Sequence, residues 1–241
     1  MSLLKKIIQG LMPTVCLFCN TLTDRPQAIC IRCRNDLPLL KHHCQICANR
    51  LPADTFARSC GQCLRQKPPF DTTHGLFFYE PPIPKFILDL KFHHALTHAR
   101  LLGELLLEKI LQEWYQKTPL PTVIIPMPLH PDRLKERGFN QAIEIARPIA
   151  RALHVPLSLH DAVRIKSTKP QATLPASKRK QNIRNAFLIK KSFENQHVAV
   201  LDDVITTGNT LHEFCRQLKK HGAARISVFC AARCENKSAS R

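Results

Sequence analysis

Apolar positions along the last two-thirds of the chain fall into two alternating textures. Short runs read as strands: His74-Gly-Leu-Phe-Phe-Tyr79, Thr122-Val-Ile-Ile125, Ala186 to Ile189, His197-Val-Ala-Val-Leu-Asp202 and Arg225 to Ala231. Between them, four segments carry helical spacing: Ile83 to Phe92, Gln141 to Leu153, Thr210 to His221, and the series Leu101, Leu102, Leu105, Leu106 and Ile110 ending near Tyr115. Strands alternating with helices predict an α/β fold, a mostly parallel sheet with helices on both faces. The first third of the chain lacks this rhythm. It begins with Met1 to Gly10, which reads as a short amphipathic helix, and continues as a cysteine-rich stretch. The Pro-Pro pair in Arg65-Gln-Lys-Pro-Pro-Phe70 marks a boundary. The expected organisation is a helix over 1–12, a small module over 13–66, an α/β domain over 70–234 and a disordered tail over 235–241.

The 241 residues, 44% of them apolar, are enough to bury a real core. No stretch approaches the roughly 18 apolar residues of a membrane-spanning helix, so the chain is not expected to be an integral membrane protein. The opening residues are too short and interrupted for a secretory leader, which points to the cytoplasm. Charge then narrows the partners. Thirty-six Lys and Arg face eighteen Asp and Glu, a net +18, a balance that favours polyanions. Between Ala162 and Phe193 stand nine basic residues and no acid, among them Lys169, Lys178, Arg179, Lys180 and Arg184. A plain solvated surface would not concentrate charge in one block.

Eight of the eleven cysteines form four Cys-x-x-Cys pairs: Cys16/Cys19, Cys30/Cys33, Cys44/Cys47 and Cys60/Cys63. A Cys-x-x-Cys turn aims two sulfurs at one ion, and two turns complete a tetrahedral zinc site. Eight thiolates make two structural zinc sites. A disulfide framework needs an oxidising compartment, and a redox Cys-x-x-Cys usually occurs singly. The gaps between pairs are ten, ten and twelve residues, and the short ten-residue gap suits a hairpin between adjacent pairs, with a cross-braced arrangement as the alternative. The module holds few large apolar residues, so metal binding supplies much of its folding energy. His42 and His43 read as surface residues, and Cys215, Cys230 and Cys234 as apolar fillers or exposed thiols.

The densest chemistry is Val198-Ala-Val-Leu-Asp-Asp-Val-Ile-Thr-Thr-Gly-Asn-Thr-Leu211. An apolar strand ends in two acids and turns through a polar, glycine-containing loop into a helix. Ligands of open α/β sheets bind at the carboxyl ends of the strands. Thr206, Thr207, Gly208, Asn209 and Thr210 offer backbone N–H groups, three hydroxyls and a helix N-terminus, which together cradle a phosphate. Asp202 and Asp203 are placed to accept from ribose hydroxyls or hold water on Mg²⁺.

This run resembles the PRPP loop of type I phosphoribosyltransferases. The resemblance carries Asp202, Asp203 and Thr206 to Thr210 over as a ribose-5-phosphate site binding PRPP or a related ligand with Mg²⁺. It also places Arg137 and Gly138, in Arg137-Gly-Phe139, at the family's pyrophosphate loop, and the acid-free basic stretch at its mobile loop. Purine-salvage relatives often carry an acid where Thr206 stands, so that base is missing, as it is in orotate-type relatives. The combination is narrower still. Four Cys-x-x-Cys pairs, Leu90-Lys-Phe92, Glu136-Arg-Gly-Phe-Asn-Gln141, Thr168-Lys-Pro-Gln171, Arg179 to Phe187 and the PRPP-like loop resemble the ComF family over nearly the whole chain.

That resemblance implies a cytoplasmic competence protein that handles incoming single-stranded DNA. It would work at the inner face of the membrane through a partner, either the DNA-uptake channel or DNA-processing proteins. Under this reading Lys169, Lys178, Arg179, Lys180 and Arg184 contact the strand. Affinity then falls by about 0.7 log units per log unit of salt for each phosphate neutralised. Aromatics are 6% of residues, and Phe18, Phe56, Phe70 and Phe139 are the candidate stacking platforms. Two alternatives stay open: an active phosphoribosyltransferase with an unidentified acceptor, and a scaffold whose nucleotide site acts as a sensor. No catalytic residue is assigned.

Overall fold

The computed structural model describes residues 14–23, 25–167 and 183–235. In chain order the elements are β1 (Thr14–Val15), β2 (Leu22–Thr23), α1 (Ile31–Asn35), α2 (Gly61–Arg65), β3 (Thr72–Phe78), α3 (Ile83–Phe92) and α4 (Leu96–Lys109). There follow β4 (Val123–Pro126), α5 (Pro131–Arg137), α6 (Gln141–Leu153), β5 (Ala162–Arg164), β6 (Phe187–Ile189), β7 (His197–Ile205), α7 (Asn209–Lys220) and β8 (Arg225–Arg233). The last turn of α4 widens into a π-helical stretch, Ile110–Trp114.

The core is a four-stranded, wholly parallel sheet in the order β3-β8-β7-β4. Its strands are near-continuous runs of buried apolar residues, as parallel strands shielded from water must be. Both edges are covered. Leu40 N–H donates to Leu76 O at 2.9 Å, Phe78 N–H to Pro38 O at 2.8 Å and Thr73 N–H to Gln45 O at 3.0 Å, so the cysteine-rich segment lies along the free edge of β3. On the far side, residues 156–158 exchange hydrogen bonds with Ile124. Covered edges leave no ladder open to another chain.

Helices α4 and α6 cross at a glycine. A Cβ on Gly103 would lie 2.5 Å from Ile145 O and 2.5 Å from Pro148 Cγ, so only a residue without one fits there. Helix α6 starts where the Asn140 side chain accepts from Ala142 N–H at 2.9 Å, an N-cap.

The α3 and α6 bounds coincide with the spacing in the sequence. Three features differ. Strand β7 runs past Asp202 to Ile205, because Val204 and Ile205 continue the alternation through the acidic pair. Helix α5 stands in the stretch between β4 and α6, started by Pro131 and closed by Gly138 in the left-handed region at φ 76°. Its seven residues have no buried apolar stripe, so periodicity misses it. Strand β5 pairs antiparallel with β6 as a separate ribbon. The expected helix over 1–12, Lys169, Lys178, Arg179, Lys180 and residues 236–241 of the tail lie outside the described residues. Among the described residues no helix is long and apolar enough to cross a membrane.

Candidate functional site

The two acids at the end of β7 have different fates, and strand geometry decides which is which. Successive side chains of a strand point to opposite faces. Asp203 is 4% exposed, while Asp202 is half-buried. Asp203 meets Lys91 of α3, with Nζ 2.5 Å from Oδ2. Against the cost of burial, that ammonium holds the Asp203 carboxyl below its ordinary range. Burial first, and the Asp203 charge second, push Asp202 the other way, well above it. Asp202 Oδ1 accepts from Asp203 N–H at 2.9 Å, which fixes its rotamer. One acid is thus bound into the scaffold, and the other is held ready beside it.

The scaffold extends. Gln141, 4% exposed at the first position of α6, hydrogen-bonds Asp203 and accepts from Arg137 Nη1 at 3.0 Å. Asn140, besides capping α6, donates from Nδ2 to Met127 O at 3.0 Å. The run Glu136-Arg-Gly-Phe-Asn-Gln141 therefore works as a bracket: it ties α5, α6 and β4 to the acid pair. Arg133 and Arg164 add positive charge, since Arg164 is close enough to feel both Arg133 and Asp202. In the sequence Lys91 and Gln141 stand out only as members of Leu90-Lys-Phe92 and Glu136-Arg-Gly-Phe-Asn-Gln141. Their partner in β7 is far along the chain, and no local pattern announces such a pairing.

The loop after β7 turns at Gly208, whose φ of 79° lies in the left-handed region, and this residue caps α7. A glycine takes that conformation without strain. Thr206 is exposed and Thr207, Asn209 and Thr210 are half-buried, so the cradle is open at its mouth.

The cysteines group consecutively. Cys16, Cys19, Cys30 and Cys33 form one cluster and Cys44, Cys47, Cys60 and Cys63 the other, with ligand atoms of each within 4.8 Å of one another. None of the eight is in a disulfide. With Zn–S near 2.3 Å, a tetrahedral site has sulfurs about 3.8 Å apart. Cys19 to Cys30 and Cys47 to Cys60 are each 3.7 Å, which fits zinc and is far beyond a disulfide bond. Cys30 and Cys60 sit at the N-caps of α1 and α2, and Cys33 N–H points at Cys30 Sγ at 3.5 Å. The Thr21 hydroxyl, 3.0 Å from Cys19 Sγ, is the main cause drawing that thiol down to about 6, toward the thiolate a metal needs. Cys215 and Cys230 are fully buried fillers, and burial pushes Cys230 up to about 12.

Comparison with known proteins agrees with both halves. Residues 7–64 match the double zinc ribbon domain and residues 140–240 the phosphoribosyl transferase domain. The chain is 33% identical over 226 residues to the DNA utilization protein YhgH of Escherichia coli (strain K12), covering 92% of this chain and 98% of that one. It is 34% identical over 222 residues to Competence protein F of Haemophilus influenzae, covering 85% and 96%. This chain belongs to the ComF family. A more distant ComF relative, Competence protein ComFC of Bacillus subtilis, is 25% identical over 243 residues, covering 93% and 97%. The fold is a phosphoribosyltransferase-type α/β domain preceded by a double zinc ribbon, whose two four-cysteine groups suit structural zinc.

In this ComF chain the basic block is described only at its flanks. Arg184 is exposed, and its carbonyl accepts from Lys166 Nζ at 2.9 Å. Arg184 lines a cleft of about 430 Å³ that opens between the second cysteine cluster, at Cys47 and Cys63, and the far side of Thr207 to Asn209. Neither Asp202 nor Asp203 lines it, so the loop at Thr206 to Thr210 presents two different faces. Two of the four expected aromatic platforms are already engaged in packing. Phe70 is 5% exposed within the core, and Phe18 stacks on Phe86 with centroids 4.5 Å apart. Phe56 is fully exposed, and Phe139 packs beside His94. Phe92, absent from the expected set, is 59% exposed, adjoins Lys91 and lies 5.5 Å from the Arg137 guanidinium.

Proposed function

We propose that this ComF-family protein is a competence-type factor that handles single-stranded DNA in the cytoplasm. Its phosphoribosyl site would hold PRPP or a related ribose phosphate with Mg²⁺. The observation that carries the reading is the nearly full-length match to relatives named for DNA utilization and competence, in a chain with a net charge of +18. The cationic flank Lys166 and Arg184, with Lys169, Lys178, Arg179 and Lys180, supplies a sequence-tolerant electrostatic contact. Phe92 and Phe139, beside Arg137, supply faces on which bases can stack. Asp202 is the acid available to ribose hydroxyls or to water on Mg²⁺, with Thr206 to Thr210 around the phosphate and Arg137 and Gly138 toward the diphosphate. DNA inside a strand lacks the free hydroxyl pair that the acids would read, so Asp202 addresses the ribose phosphate and not the strand. The DNA-uptake channel or DNA-processing proteins are the natural partners, and they would bring the protein to the inner face of the membrane.

A second reading, an active transferase, is favoured by one observation. The acid pair is ordered by Lys91 and Gln141, as a ribose-binding site requires.

The test is fluorescence anisotropy of a labelled single-stranded oligonucleotide near physiological salt, with and without PRPP and Mg²⁺. Binding above a basic control protein is expected, with a salt slope that drops by about two in the Lys178, Arg179 and Lys180 triple glutamine variant. Binding no better than the control overturns the DNA reading. Pyrophosphate release with any acceptor, abolished in Asp202→Asn, establishes the transferase.

A further inference from the structure

Strand β8 ends on an arginine that is 4% exposed and whose hydrogen bonds run to backbone carbonyls. Arg233 Nε donates to Cys47 O at 3.0 Å. Its Nη1 sits among Ile205 O at 3.0 Å, Cys234 O at 2.6 Å and Thr206 O. Burying a guanidinium is costly unless polar groups surround it. Here three pieces of main chain supply those groups. One is a turn of the second cysteine cluster. Another is the root of the phosphate loop, and the third is the end of β8 itself.

Neither end of this link is soft. The Cys47 carbonyl leaves a tight knuckle turn in which Ala48 N–H donates to Cys44 O at 2.7 Å and Ala48 stands at φ 58°. On the other side, Ile205 pairs with Arg233 in the β7–β8 register, and Cys234 N–H donates back to Ile205 O at 2.9 Å. The planar fork of an arginine can hold both ends at once, where a lysine could serve only one direction.

We propose that Arg233 is a positioning residue through which the second cysteine cluster, and not the first, sets the conformation of the phosphate loop. The proposal rests on reading that loop as the phosphoribosyl site. With the four Cys44–Cys63 sulfurs gathered on one ion, the Cys47 carbonyl is fixed and the guanidinium holds Ile205 and Thr206 in place. With the ion removed, the knuckle turn loosens, Arg233 loses one acceptor and the loop root is freed. Linkage makes the effect reciprocal: a ligand that needs the ordered loop must retain the ion in the second cluster. Among the described residues the first cluster's contacts run to helices instead: Arg34 and Gln27 both reach Glu108 of α4, and Phe18 stacks on Phe86 of α3.

The experiment follows zinc release to a chromogenic chelator from the full chain, with and without PRPP and Mg²⁺, alongside calorimetry of PRPP binding. Two release phases are expected. PRPP slows one of them, roughly tenfold, and the slowed phase is the one missing in Cys60→Ser. In Arg233→Lys, still carrying two zinc ions, PRPP no longer slows that phase and its Kd rises. PRPP that binds but changes neither phase overturns the inference and leaves the phosphoribosyl reading standing, as does equal slowing in wild type and Arg233→Lys. No calorimetric binding of PRPP overturns both. Should Arg233→Lys fail to hold two zinc ions, Arg233→Gln is measured in its place. Wild-type release with and without PRPP decides the outcome independently of any variant.

Discussion

The two cysteine clusters share their four-cysteine ligand set and a short helix begun by the third cysteine, yet they are wired into the molecule differently. The first hangs on helices α3 and α4: Arg34 and Gln27 meet Glu108 of α4, and Phe18 stacks on Phe86 of α3. These are side-chain contacts to α3 and α4, and none of them touches the loop at Thr206 to Thr210. The second is joined by main chain, with Gln45 and Ile46 carbonyls accepting from Thr73 and the Cys47 carbonyl accepting from Arg233. Two copies of one motif thus attach in two ways, one through side chains to helices and the other through its carbonyls to strands of the sheet. Four substitutions or conditions break or sharpen that contrast.

The largest effect belongs to the cysteines themselves. Cys30→Ser and Cys44→Ser should each lower bound zinc from two to one and reduce Tm by roughly 10 °C or more, in line with the roughly 2–5 kcal/mol lost with a structural cross-link in a small domain. Only Cys44→Ser should also weaken PRPP binding at low temperature, where both variants remain folded. Equal loss in both would erase the distinction.

Next comes Lys91→Met. It leaves Asp203 buried without its cation, at a cost of about 3 kcal/mol by denaturant titration. Zinc content should stay at two, which separates damage to the acid pair from damage to either cluster.

A pH titration gives a smaller effect. Burial is the main cause drawing His74, on β3 against Trp114 and Phe229, down to about 4, so the folded protein keeps it neutral. The unfolded chain takes up that proton below about 6.5 while the folded one does not, so stability falls as pH drops from about 6.5 toward 4. About 2 kcal/mol should be lost between roughly pH 7 and 5, and His74→Leu should flatten that part of the curve when zinc content is held constant. A curve unchanged by the substitution would assign the loss to other groups, His197 of β7 among them, which burial also draws down to about 4.

The smallest is Arg34→Ala. Its pair with Glu108 is mostly shielded, and about 1 kcal/mol is expected from thermal unfolding, with PRPP binding unchanged.

How much of this could be read from residue order depends on how local each feature is. The Cys-x-x-Cys turns and the acid-acid-loop-helix run are local, so their chemistry is visible in a window of a few residues. So are α3 and α6, whose apolar stripes are long enough to show their period. The Lys91–Asp203 ion pair joins distant helix and strand, and Gln141 acts on Asp203 only after the sheet has formed. Burial is equally non-local. Phe70 looks available beside a Pro-Pro linker, yet it packs into the core, whereas Phe92 ends an apolar helix and stands exposed. Arg233 reads as one more base in a basic chain. Its meaning comes from where its neighbours' carbonyls point.

That last arrangement also bears on how such a chain can diverge. Arg233 grips Cys47, Ile205, Thr206 and Cys234 by their carbonyl oxygens, atoms that every amino acid carries. Side chains at the loop root can therefore be exchanged without touching the grip. The frame stays constant while the residues displayed on it, and the ligand they prefer, are free to drift.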